Sequence, residues 1–158
     1  MRSKDYIISV GGFFGGKNNR EIISSVASRT NWANCLKNAD KRKATMIMQM
    51  NTIFNIIWEE FLKDSNERDW FTIDFKTVGL IAAFNNQWKY YDNNKPTLNM
   101  SEYFYDKFHR EHIKYSDCIR NKDLQGAKSI EQELVALAED TLVQLALTFL
   151  EYAQKDYI

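Results

Sequence analysis

The chain predicts an all-α fold: about five helices bundled around a central apolar C-terminal helix, preceded by an extended Gly/Phe arm. Three observations lead there. Helix breakers are scarce, with six glycines and one proline in 158 residues, and four of those glycines fall in one hexapeptide, Gly11-Gly-Phe-Phe-Gly-Gly16. Apolar residues after that hexapeptide recur at spacings of three and four, the period of a helix. Finally, Leu134–Ala153 is apolar on most sides, which is the pattern of a helix buried all round. The division that follows is an extended arm over residues 1–17 and a helical bundle over 18–158.

Each element has its own signal. Tyr6–Val10 is a short β-branched run with strand character, stopped by Gly11. From Asn18 or Asn19 to about Leu36, Ile22, Ile23, Val26, Ala27 and Trp32 mark a first helix. Asp40 reads as the N-cap of a second, running through Lys63 with Met46, Ile47, Met50, Ile53, Phe54, Ile57, Trp58, Phe61 and Leu62 over a broad face. Lys63–Arg68 is a polar turn. Asp74 is expected to cap a third helix carrying Val78, Ile81, Ala82 and Trp88, which ends before Pro96 because proline disfavours helical backbone at Lys95. Asn99 or Ser101 starts a fourth, with Tyr103, Phe104, Phe108, His112, Tyr115 and Ile119. Asn121–Asp123 then turns into the last helix, to about Gln154.

The totals exclude several classes. Apolar residues at 44% and aromatics at 14% rule out general disorder. Twenty-one basic groups balance twenty-one acidic ones, so no global field recruits nucleic acid or membrane. The balance is uneven along the chain: residues 1–50 carry nine basic against three acidic groups, and residues 101–158 carry seven against eleven. The two cysteines, Cys35 and Cys118, have no metal-type spacing and make no disulfide framework. No run reaches the ~20 apolar residues of a membrane span, and Tyr6–Val10 is too short for a signal peptide. The expected compartment is cytoplasm, of a cell or of an infected host, with no membrane partner.

Four constellations could carry function. In the hexapeptide, glycine pairs free the backbone to place Phe13 and Phe14, either into the chain's own core or into a protein partner. The same segment, Gly11-x-x-x-x-Gly16-Lys17, matches a phosphate-binding loop except for its last residue, Asn18. It lacks the parallel strands such a loop needs, with only Trp70–Ile73 as a further strand candidate. Lys37, Lys41, Arg42 and Lys43, with Arg29 and Trp32 upstream, form the densest basic cluster, suited to a phosphate backbone and a stacked base. Asp106-x-x-His109-x-x-His112 places a carboxylate and two imidazoles on nearby helical faces, a partial metal-ligand set.

The sequence otherwise shows no serine-nucleophile elbow, no zinc-protease motif and no cysteine paired with a histidine. It therefore points to a non-enzymatic accessory or adaptor subunit within a larger assembly, working by protein–protein contact that includes self-association, with no cofactor. The alternatives are an RNA- or DNA-contacting subunit using residues 37–43, and an enzyme with a degenerate phosphate loop or a helix-borne metal.

Overall fold

The computed structural model describes residues 18–28, 37, 39–91 and 104–154, with the side chains at 87–91, 104–106, 152 and 154 left aside. The described residues form five α-helices: α1 (Asn19–Ala27), α2 (Lys41–Phe61), α3 (Trp70–Tyr91), α4 (Arg110–Arg120) and α5 (Leu124–Gln154). A π-helical turn, Phe104–His109, runs straight into α4. Among the described residues there is no strand, so Trp70–Ile73 opens a helix instead. The arm with its Tyr6–Val10 run, the stretch beyond Ser28 and the linker around Pro96 lie outside the described residues.

The all-α bundle is what the breaker-poor sequence leads to, and α5 is its centre. Its 31 residues make a rod about 46 Å long, and it touches every other described element. Between Thr141 and Leu150 it is enclosed on all but the side of Gln144 and Thr148, with Leu142, Val143, Leu145, Ala146, Leu147, Phe149 and Leu150 each at most 3% exposed. Onto it α1 lays Ile22, Ile23 and Val26, and α2 adds Ile47, Met50, Phe54, Ile57 and Phe61 to the same core. Phe84 of α3 meets Phe149 edge-on, 6.4 Å between ring centres. Fully burying one such aliphatic or aromatic side chain contributes about 1.5–3 kcal/mol.

The helix ends show where local chemistry holds. Asn18 and Glu21 form a reciprocal capping box at α1. Asp40 caps α2 as expected, accepting from the Lys43 N–H at 2.8 Å. Asp123 caps α5 through the Gly126 N–H, after a turn in which Lys122 takes a positive φ of 59°.

Two boundaries differ from expectation. α1 stops at Ala27 rather than near Leu36, with Ser28 extended. The carbonyls of Val26 and Ala27, two of those a helix end leaves open, accept from the side-chain amides of Asn51 and Asn55 on α2. Asp74 does not cap α3. Asp69 does, accepting from the Phe71 N–H and the Thr72 hydroxyl, and Asp74 lies in the second turn, turned inward. Ala82, expected on the packed side of α3, is exposed. The buried side is Ile73, Asp74, Thr77, Leu80, Ile81 and Phe84.

Candidate functional site

Asp74 is the odd member of that buried side, a carboxylate where the helix otherwise offers apolar groups. It is 6% exposed, and a charge there needs partners. The π-helical turn and the first turn of α4 supply them. His109 and His112 sit three residues apart, hence on one face, and both direct Nδ1 at the same Asp74 oxygen, Oδ2, at 2.8 and 3.0 Å. Burial pushes the Asp74 carboxyl upward, but the hydrogen bonds from His112 and His109, with their electrostatic pull, outweigh it and hold its pKa below the ordinary 3.8. The carboxylate is therefore ionised at neutral pH and can only accept, so both rings carry a proton on Nδ1.

The surroundings fix this arrangement. Phe108 packs tilted against Trp70, ring centres 5.7 Å apart, and against His112 at 6.4 Å. Arg68 lies over the Trp70 ring at 5.1 Å and pairs with Glu131 of α5 at 3.7 Å. Tyr115, one turn after His112, donates its hydroxyl to the same Glu131. Two buried polar atoms near Asp74, Trp70 Nε1 and Thr77 Oγ1, make no hydrogen bond. These residues lie four before and three after Asp74, on its own side of α3. The histidine side chain of position 109 is one-third exposed, against 11% for position 112 and 8% for Asp74, so the cluster opens to solvent at one edge only.

Sequence reasoning selected two of these three residues. His109 and His112 do converge on a carboxylate, but the carboxylate is Asp74 from another helix. The side chain of Asp106 lies outside the described residues. So do Gly11, Phe13, Phe14, Gly16 and Lys17 of the arm, and Arg29 and Trp32 of the basic cluster. Within that cluster Lys37, Lys41 and Arg42 are exposed, whereas Lys43 is buried at 6% and does not share their surface. Cys118, the described cysteine, has its thiol pushed above the ordinary 9.0 by desolvation and by the Asp123 and Asp117 carboxylates, so it is no thiolate at neutral pH.

A surface groove of about 540 Å³ runs between α4 and α5, lined by Lys107, Arg110, Glu111, Lys114, Glu133 and Leu137. It shares no lining residue with the aspartate–histidine cluster, and its walls mix both signs of charge.

The outward side of α3 is unusual for a solvent face. Phe71, Phe75, Gly79, Ala82 and Asn86 line it, all exposed and none charged. Phe71 and Phe75 are 64% and 68% exposed and stack on each other, ring centres 6.0 Å apart and planes within 12°. Beyond them the surface flattens, and a Cβ placed on Gly79 would meet nothing within 4 Å.

No protein-family model matches the chain, and no curated protein or solved structure is similar enough to lend it a family. No helix among the described residues is long and apolar enough to cross a membrane.

Proposed function

We propose that this chain is a non-enzymatic helical subunit that works by protein–protein contact through the outward side of α3, and that the partner this side fits is a second copy of the chain. The observation that carries the reading is the exposed Phe71–Phe75 stack on a helix side that carries no charge between Phe71 and Asn86. Large apolar groups clustered in water mark contact surfaces in soluble proteins, and aromatic rings are favoured anchors in them.

The side is also self-complementary. Two bulky residues occupy its N-terminal half and two small ones, Gly79 and Ala82, its C-terminal half. An antiparallel pair of α3 helices with its two-fold axis near residue 77 sets Phe75 of one copy over Gly79 of the other, and Phe71 over Ala82–Ala83. This is an isologous interface, in which each copy gives the same surface. No like charges face each other along that line; Lys76 is half-buried on the flank. Two helices touching over about three turns bury less than the ~800 Å² per partner of a standard interface, so the association is weak, roughly micromolar or weaker.

Sedimentation analysis across a concentration series tests this. The wild type is expected to dimerise with rising concentration. Phe71→Ser/Phe75→Ser and Gly79→Gln are each expected to stay monomeric with unchanged far-UV dichroism. A wild type that remains a monomer at roughly millimolar concentration, or a dimer that survives both variants, overturns the reading.

A further inference from the structure

We propose that Asp74, His109 and His112 bind one divalent transition-metal ion of the zinc class, with a carboxylate oxygen of Asp74 and one nitrogen of each imidazole as ligands. The donor atoms already lie within 4.8 Å of one another. They come from two packed elements, α3 and the π turn leading into α4, so the set is assembled by the fold rather than by a flexible loop. π-helical turns inside helices are frequent at functional sites, and here one ends at the first ligand, His109.

The dimensions suit the ion. Zinc binds imidazole nitrogen and carboxylate oxygen at about 2.0–2.2 Å, which puts tetrahedral ligands roughly 3.3 Å apart. The two Nδ1–Oδ2 separations are 2.8 and 3.0 Å. Admitting an ion therefore widens the cluster by a few tenths of an ångström. Coordination through Nδ1 displaces the proton there, and each ring binds as the neutral tautomer with its proton on Nε2. One carboxylate with two neutral imidazoles is a donor set that favours zinc, iron, nickel or copper over magnesium and calcium, which take mostly oxygen ligands.

Three protein ligands leave one tetrahedral position for water or another ligand. Asp74 and His112 close the inner side, while His109 is one-third exposed and gives the ion its way in. On the inner side, Thr77 is 1% exposed and its hydroxyl makes no hydrogen bond. It is one turn beyond Asp74 on the same side of α3, where it can hydrogen-bond a ligand oxygen or a metal-bound water. An unsatisfied buried hydroxyl beside three metal-type ligands is what an incomplete polar site looks like.

The experiment is zinc titration of the purified full chain after chelator treatment, read by competition with a chromogenic zinc probe, with Co(II) absorption reporting the coordination. The expected result is one zinc per chain, intense visible Co(II) bands, and no comparable uptake of magnesium or calcium. His109→Ala, His112→Ala and Asp74→Asn are each expected to weaken zinc by at least about 100-fold, judging from the 10–100-fold losses seen when only supporting groups are removed. His109→Ala is the deciding variant, because its partly exposed side chain can be truncated with far-UV dichroism unchanged. Asp106→Asn is expected to bind as the wild type does. Absence of zinc uptake by the wild type, wild-type affinity in folded His109→Ala, or dependence on Asp106 instead of Asp74 would overturn the assignment.

Discussion

Asn51 is the most informative single position for testing how α1 is held. It is 3% exposed. Its amide donates to the Val26 carbonyl at 3.1 Å, and its oxygen accepts from Asn55, which in turn donates to the Ala27 carbonyl at 2.8 Å. Replacing it as Asn51→Leu keeps the side-chain volume and removes the donor. Val26 is 1% exposed, so its carbonyl loses that partner where water cannot easily replace it, at about 1–3 kcal/mol. The better helix propensity of leucine offsets up to roughly 0.5 kcal/mol. The net expectation is a loss of about 1–2 kcal/mol, which for a chain of this size lowers Tm by roughly 2–8 °C. Urea unfolding of Asn51→Leu, Asn55→Leu and the double variant measures it, and the two losses should not add, because the amides share a hydrogen bond. A change below about 0.5 kcal/mol, the range of ordinary surface substitutions, would refute the claim that these amides close the end of α1.

Further expectations follow from single features. Gly79→Ala should stabilise the monomer by about 0.5–1 kcal/mol in urea unfolding, since the added methyl group meets open space and the helix loses a glycine. Asp69→Ala should cost about 1 kcal/mol as the cap of α3 is lost. The Tyr115 hydroxyl has its pKa raised above 10.0 by burial and then by Glu131. The folded state therefore favours the neutral phenol; that stability is present below the unfolded pKa and fades as pH rises through the folded value. Comparing Tyr115→Phe with the wild type between neutral and strongly alkaline pH should show this extra loss in the wild type alone. Phe54→Ala, at the centre of the α2 contact, should cost about 3–5 kcal/mol by thermal unfolding.

The fold was legible because its signals are local. Asp40, Asn18 and Asp123 cap the helices that follow them, each through a side-chain oxygen within three residues of the amide it takes. The run Leu134–Ala153 announces its enclosure by composition alone. What escaped depends on distance along the chain. Asp74 meets its histidines across 35 and 38 residues, and nothing near it in sequence separates a buried acid from a cap. Asp106, closer to the histidines and at helical spacing, is what local grounds offer, and its side chain lies outside the described residues. Trp70–Ile73 resembled a strand because its aromatic and β-branched residues are also those a buried helix uses, and packing against Phe108 overrides propensity there. The α3 surface went unread because a helix apolar on two sides has no stripe to orient it.

The 31-residue rod of α5 has a kinetic meaning as well. Every described helix leans on it, so opening its central stretch removes the support of all the others. Amide protons along Thr141–Leu150 should therefore exchange only when the whole molecule opens, at the slowest rate the chain displays. Those of α1, a nine-residue helix that packs on α5 through Ile22, Ile23 and Val26 and is tied to α2 by two asparagine amides, have less structure around them and should exchange sooner.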